Sequence, residues 1–492
     1  MISIWSNDTT ISSREQLHGD IKVDVAIVGA GLAGVLIAYF LQKKGYNPVV
    51  LEASHIGSGQ TKNTTAKITS QHNLIYDKLI SKIGIEKAKQ YADANQKAII
   101  EYGKIINEFN INCQFENKSA YLYSTTETES LKKEAEAASK LGIPAGFTVQ
   151  TSLPFPVAGA MIFRDQAQFH PLKFLDAISQ KVNIFENTAV KTIDKNNIKT
   201  DNGIVTADYI VFATHYPFIN IPGYYFLRMH QERSYVLALK NAVNIDGMYL
   251  GIDDNGLSFR NSGNYLLLGG GNHRVGENNA GGKYEFLRQK VKNYYPNSKE
   301  IAYWSAQDCM TIDNVPYIGQ YSSGTPNWFV ATGFQKWGMT SSMASAIIIS
   351  DLISCGKSEF EDVFAPSRFN PAASLNILFE EGKQAVKGLS KRIFYIPKEH
   401  LQNIDNSHGG VIEYNNQKVG VYKDDKGKAY FIDLKCTHLG CQLEWNPDEK
   451  SWDCPCHGSR FDIRGNIIDN PAQASLNNKF RMKNQDAQEK EL

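Results

Sequence analysis

Two short loops near the C-terminal end bring thiols and imidazoles together: Cys436-Thr-His438-Leu-Gly-Cys441, then Cys454-Pro-Cys456-His457-Gly-Ser459. Thiolate plus imidazole is the ligand set of a metal site, either a structural zinc or an iron-sulfur centre. Near the other end of the chain, Val23-Asp-Val-Ala-Ile-Val28 runs directly into Gly29-Ala-Gly31-Leu-Ala-Gly34 and an apolar helical period through Leu41. In a strand-turn-helix of this kind the first glycine permits the tight turn and the second lets a pyrophosphate approach the backbone. The third allows close packing of helix on strand, with the phosphates at the helix N-terminus. A second strand, Pro48-Val-Val-Leu51, ends in Glu52, eighteen residues after Gly34, where a carboxylate accepts hydrogen bonds from an adenosine ribose. The two patterns together specify a dinucleotide site and a metal centre in one chain.

The rest of the sequence must position these groups. With 492 residues, 42% of them hydrophobic, the chain divides into two to four domains with sizeable cores. Lysine and arginine number 52 against 51 acidic residues, so no global field points to nucleic acid or to an anionic membrane. No signal peptide is evident, and the apolar run Val23–Leu41 contains Asp24 and spaced glycines, so no transmembrane segment is expected. Four of seven cysteines fall within 436–456. Cys113, Cys309 and Cys355 are scattered and expected to be buried, a pattern that fits a cytoplasmic chain. Residues 1–20 read as a polar arm and 75–145 as helical scaffold. Residues 184–213 read as short strands, with Asp201-Asn-Gly203 as a type I′ hairpin signal. Residues 225–300 are β-patterned, and Gly269-Gly-Gly271 lacks a following helical period. No second nucleotide site is found, which argues against an NAD(P)H-dependent reductase. Trp328 to Leu352 is a further strand, glycine turn and helix, carrying Gly333, Gly338 and Met339.

The segment Gly57-Ser-Gly59-Gln-Thr61-Lys-Asn-Thr64-Thr65-Ala-Lys67, the strand ending Ala213-Thr214-His215 and the Asp313…Pro316-Tyr-Ile-Gly319 stretch resemble the flavoprotein family of glycine oxidase, D-amino-acid oxidase and sarcosine oxidase. The resemblance implies an α/β fold: a Rossmann-type FAD domain (about 20–75, 185–220 and 305–355) with an antiparallel-sheet substrate domain (about 150–185 and 220–300), together spanning 1–364. It implies FAD held by Gly29, Gly31, Gly34, Glu52, Ser58, Thr64, Thr65, Gly333, Gly338 and Met339. Lys67 and Lys336 are weak catalytic candidates, able to place positive charge near the flavin. Arg164 and His170 are candidates for substrate contact. His215 stands where the family usually has glycine, which puts a close backbone approach at that point in question. A thioether to the flavin is excluded by the lack of cysteine in 53–75 and 325–345; a histidyl link through His55 or His72 stays open.

After a linker helix at 365–394, residues 395–480 resemble a Rieske domain, a small all-β unit, and 481–492 form a polar tail. The resemblance implies a [2Fe–2S] cluster in which Cys436 and Cys454 bind one iron and His438 and His457 the other, with potentials of about −150 to +300 mV. It also implies a Cys441–Cys456 disulfide and a Ser459 hydroxyl donated to a cluster sulfur. Phe461 replaces the tyrosine of the high-potential proteins, so the potential is expected below the top of that range. The expected activity is oxidation of a small amine or amino acid by hydride transfer to FAD, with electrons leaving singly through the cluster to an acceptor. The reverse flow, from carrier to cluster to FAD to substrate, and a non-enzymatic redox sensor are the alternatives. A Rieske oxygenase is disfavoured because no histidine follows His457 to build a further iron site.

Overall fold

Ile21–Val28 is apolar and buried along most of its length, as a parallel strand covered on both faces must be. It pairs in parallel with Pro48–Leu51 on one side and Ile204–Phe212 on the other. Thr325–Thr332 continues the parallel sheet beyond Ile204–Phe212, Asn183–Phe185 beyond Pro48–Leu51, and Tyr317–Ser322 adds an antiparallel edge. The helices Leu32–Lys43 and Gly338–Cys355 follow the two glycine turns and pack against each other. Gly338–Cys355 is the one helix among the described residues long and apolar enough to cross a membrane, and most of it is buried in this core.

This computed structural model describes residues 2–368, 401–414 and 417–476. They form two compact units. Among the described residues, the first comprises 2–217, 234–271 and 284–368; the second comprises Phe218–Arg233, Asn272–Lys283 and those from 401 on. Besides the parallel sheet, the chain builds a nine-stranded sheet in the order 299–311, 229–240, 265–274, 258–262, 248–251, 116–124, 159–168 and 67–68, with 145–148 alongside 159–168. Most of its resolved pairings are antiparallel, but Met248–Gly251 joins Glu116–Ser124 in parallel. Gly269, Gly270 and Gly271 lie within the strand Tyr265–Arg274, with no helix after them.

Several expectations are corrected. The 75–145 scaffold is helical over Tyr76–Ile83, Ile85–Glu108 and Glu129–Lys140, yet Glu116–Ser124 is a strand inside the large sheet, because its alternating apolar residues bury one face. The 200–203 turn does join antiparallel strands, but neither Asn202 nor Gly203 takes the left-handed backbone that type I′ requires. Gly203 instead allows close approach of Gly19, whose amide donates to the Asn202 carbonyl at 2.9 Å. Cys355 is exposed, at the end of its helix, whereas Cys113 and Cys309 are buried. The arm at 1–20 contains a helix, Ile4–Asp8, with Trp5 fully buried. The expected linker helix at 365–394 lies, from residue 369 on, outside the described residues, as does the polar tail at 481–492.

In the second unit, Gly409–Tyr414, Gln417–Lys423 and Ala429–Asp433 form an antiparallel sheet, and Glu444–Asn446, Ser451–Asp453, Arg460–Phe461 and Ile467–Asp469 form another. Trp445, Trp452, Leu443 and Phe461 make its core. Arg460 is buried among Asp453 (3.0 Å), Asp469 (3.0 Å) and Glu449 (2.6 Å), while Arg233 donates to the other oxygen of Glu449 at 3.0 Å. This network fixes the strands on either side of residues 454–459.

Candidate functional site

The glycine turn is shaped by close backbone approach. A Cβ on Gly29, whose φ is 106°, would stand 2.6 Å from the Ala213 carbonyl oxygen, and one on Gly34 would overlap the Gly29 carbonyl. A Cβ on Gly31 would meet only the Thr61 hydroxyl, at 3.4 Å, so this is the turn's open side, at the N-terminus of Leu32–Lys43. The Glu52 carboxylate accepts from the amides of Ala30 (2.8 Å) and Ser54 (2.9 Å). Burial pushes its pKa up, while the two amides act in the opposite sense. Its remaining lone pairs suit a ribose hydroxyl.

The polar loop after Glu52 is anchored by donors that are distant in sequence. Thr61 Oγ1 accepts the Leu32 amide at 3.1 Å. Trp304 Nε1 donates to Asn63 O at 2.9 Å and Trp5 Nε1 to Thr64 O at 2.7 Å, and Arg260 Nη1 reaches Thr65 O at 2.7 Å and Ala66 O at 2.8 Å. Ser58, Thr64 and Thr65 are thereby held half-buried on one rigid loop. Nothing in the local sequence marks Trp5, Arg260 or Trp304 as its anchors. Lys67, next on the chain, donates to Tyr249 O at 3.0 Å and Ser258 Oγ at 2.5 Å. Burial of its ammonium, with the nearby Arg260 charge adding to the effect, lowers its pKa to about 7.

The second glycine turn meets the same loop. Gly333 has φ 70°, Gly338 opens the helix, and the Met339 carbonyl accepts from Tyr102 at 2.8 Å. Thr340 donates to Thr69 O at 3.1 Å, and Trp337 stacks on His72 with ring centroids 4.9 Å apart. Both His72 nitrogens are engaged, with Tyr91 at 2.5 Å and with Thr69 and Thr340, and burial drives its pKa down to about 3. It therefore reads as a structural core histidine. His55 is exposed and contacts Glu186. Lys336 is half-buried at the turn. His215 takes a left-handed backbone, with φ 67°, at a strain of roughly 1 kcal/mol. Its carbonyl accepts from Thr332 at 2.5 Å and from Cys309 at 3.3 Å, contacts that hold this backbone path. Arg164 is exposed, while His170 caps the helix Pro171–Ser179 and pairs with Asp8 at 2.8 Å, a structural arrangement.

The two cysteine loops repeat one backbone design. Cys436 N bonds Cys441 O and Gly440 N bonds Cys436 O; Cys454 N bonds Ser459 O and Gly458 N bonds Cys454 O, all at 2.8–3.0 Å. Gly440 and Gly458 close the loops with φ of 82° and 83°. Cys441 and Cys456 are disulfide-bonded, tying one loop to the other. Cys436 and Cys454 are buried free thiols. The Cys454 thiol donating to Cys436 lowers the Cys436 pKa to about 7, and the Ser459 hydroxyl and nearby amides act in the same direction. The rings of His438 and His457 stand edge to face with centroids 4.8 Å apart. His438 Nδ1 is buried and finds no hydrogen-bond partner among the described residues, and desolvation lowers the pKa of this ring to about 4. The same contact and burial push the Cys454 thiol up, so one thiol of the pair deprotonates readily while the other holds its proton. Two adjoining buried thiols, next to a neutral imidazole with an orphaned inner nitrogen, suit a metal cluster.

Residues 24–352 match the family described as FAD dependent oxidoreductase. The chain belongs to this family. In this oxidoreductase, residues 396–480 further match the Rieske [2Fe-2S] domain, so its cofactors are FAD and a [2Fe–2S] cluster. It is 36% identical over 485 residues, 95% of both chains, to the "Putative Rieske 2Fe-2S iron-sulfur protein YhfW" of Bacillus subtilis (strain 168). It is 46% identical over 57 residues, 11% of this chain and 32% of the other, to the cytochrome b6-f complex iron-sulfur subunit of Microcystis aeruginosa. The fold is similar to that of L-proline dehydrogenase from P. horikoshii, with a TM-score of 0.60 at 20% identity, covering 72% of this chain and 98% of the other. It is likewise similar to glycine oxidase from Geobacillus kaustophilus, with a TM-score of 0.59 at 19% identity, covering 71% and 99%.

Proposed function

We propose that this oxidoreductase oxidises a small amine or amino acid and passes the electrons one at a time through its cluster to an acceptor. FAD, when bound, takes a hydride as two electrons at once, and a [2Fe–2S] cluster carries one electron at a time. Gly29, Gly31, Gly34, Glu52, Ser58, Thr64, Thr65, Gly333, Gly338 and Met339 are proposed to hold FAD. Cys436, His438, Cys454 and His457 are proposed to hold the cluster. The observation that carries the reading is the union, in one chain, of an FAD fold with a buried pair of thiols and a neutral imidazole whose inner nitrogen lacks a partner.

A carboxylate-bearing substrate fits the buried cations of the first unit. Among the described residues Lys67 Nζ donates to the neutral oxygens of Tyr249 and Ser258, and Arg260 is desolvated until its pKa falls to about 9. An anion near these groups would relieve their desolvation. The names of the similar structures, a proline dehydrogenase and a glycine oxidase, support the same class of substrate. The proposed location is the cytoplasm, which cell fractionation tests. The proposed function is tested by anaerobic addition of single amines and amino acids to the FAD- and cluster-loaded chain. Bleaching of the flavin by one of them supports the reading. No response to any of them, with bleaching only by a reduced electron carrier, establishes the opposite direction of flow.

A further inference from the structure

The segment Phe218–Arg233 lies inside the stretch matched to the FAD-dependent oxidoreductases, yet it belongs to the compact unit that contains the cysteine loops. Two of its amide side chains each reach one histidine loop. Asn220 Oδ1 lies 2.8 Å from His438 Nε2, and Gln231 Nε2 donates to the His457 carbonyl at 2.7 Å. Gly458 packs so tightly on Gln231 that a Cβ there would stand 2.6 Å from the glutamine Cβ. From the second inserted segment, Arg274 Nε donates to Pro455 O at 3.2 Å.

The two nitrogens of His438 are therefore in different situations: Nδ1 is buried with no hydrogen-bond partner among the described residues, and Nε2 faces an amide oxygen. A neutral imidazole bound to iron through Nδ1 has no lone pair left there and carries its proton on Nε2. Nε2 can then only donate, so the amide of Asn220 must present its oxygen. We propose that Asn220 is a positioning residue for the cluster: it orients the His438 ring, fixes its tautomer and lowers the cluster's midpoint potential. The tuning of the cluster is then shared with a stretch of the oxidoreductase family sequence some two hundred residues upstream of the Rieske loops.

The direction follows from charge. Ferric iron draws more density from the imidazole than ferrous iron does and makes Nε2–H the stronger donor. A hydrogen bond to a neutral oxygen therefore favours the oxidised cluster. Ser459 acts in the opposite sense, because donation to a cysteine sulfur favours the reduced form. The inference rests on a cluster bound through His438 and is independent of the direction of electron flow.

The test uses the full-length, cluster-loaded chain with Asn220→Ala and Asn220→Asp, a spectroelectrochemical titration at one pH near neutrality, and electron paramagnetic resonance of the reduced cluster. Asn220→Ala removes the acceptor and raises the midpoint potential. Asn220→Asp keeps the shape, adds negative charge and lowers it. The expected change for each is about tenfold in the oxidised-to-reduced ratio, or about 59 mV for one electron. The g-values are expected to move with the potential. Identical potentials and g-values in all three proteins would overturn the role of Asn220. If Asn220→Ala fails to retain its cluster, the isosteric aspartate decides: a lowered potential supports the proposal and an unchanged one overturns it. A native chain loaded with iron and sulfide that shows no Rieske signal would refute the cluster assignment itself, a different failure.

Discussion

The cluster loops and the dinucleotide site are both short backbone turns closed by glycine, but they bind in different ways. In the cluster loops, the side chains of Cys436, His438, Cys454 and His457 are the proposed ligands, and all four fall within one small stretch of sequence. At the dinucleotide site the recognising surface is largely backbone. Its proposed parts are Gly29–Gly34, Glu52, the 57–69 loop and the turn at Gly333–Gly338, which are far apart in the chain. Losing one ligand at the first site removes a bond to the metal, whereas at the second a single added methyl group displaces a main-chain contact.

The largest effect expected from this difference is at the cluster. Cys436→Ser should abolish the cluster signal while leaving bound flavin in place, as iron content and flavin absorbance would show. Gly34→Ala should do the reverse: overlap of the new Cβ with the Gly29 carbonyl should weaken FAD retention by about tenfold or more, on an overpacking penalty of about 1–3 kcal/mol. Loss of both cofactors in either variant would break the contrast. Next in size is Arg460→Met, which removes the buried guanidinium shared by Asp453, Glu449 and Asp469 and should destabilise the second unit by about 3–5 kcal/mol in denaturant titrations.

The smallest effect concerns Lys67 in the FAD-free chain. Its folded pKa of about 7 lies below the ordinary 10.5, so between these values the unfolded chain holds the extra proton. Stability should therefore rise with pH across that window, by at most about 1.4 kcal/mol per pH unit from this group, and fall as pH drops through it. Lys67→Met should flatten the slope. An unchanged slope would show that its ammonium is not desolvated.

How much could be read in advance follows the same division. The cysteine and histidine loops were legible because their donors are side chains at short spacing. The strand, turn and helix at 23–41 was legible because a parallel strand and a pyrophosphate turn both restrict residue choice. The anchors of the 57–69 loop were not: Trp5 and Trp304 each donate one hydrogen bond and Arg260 two, all from across the fold, and no periodicity marks them. Asn220 was equally hidden, since an asparagine between β-patterned stretches reads as a turn residue. His215 shows the limit from the other side. Its replacement of glycine put a close backbone approach to the flavin in question; its backbone is left-handed, and Thr332 and Cys309 both donate to its carbonyl, contacts that no local pattern announces.

The proposed flow from substrate to FAD to cluster fixes the order in which the two centres are reduced. Rapid mixing of the loaded chain with the proposed amine or amino-acid substrate without oxygen, followed by freeze-quenching, resolves flavin bleaching from the signal of the reduced cluster. On that flow bleaching comes first, the cluster signal grows as the flavin is partly reoxidised, and Cys436→Ser retains only the first phase. Cluster reduction that precedes flavin bleaching, or that needs a reduced carrier in place of any amine, would contradict it.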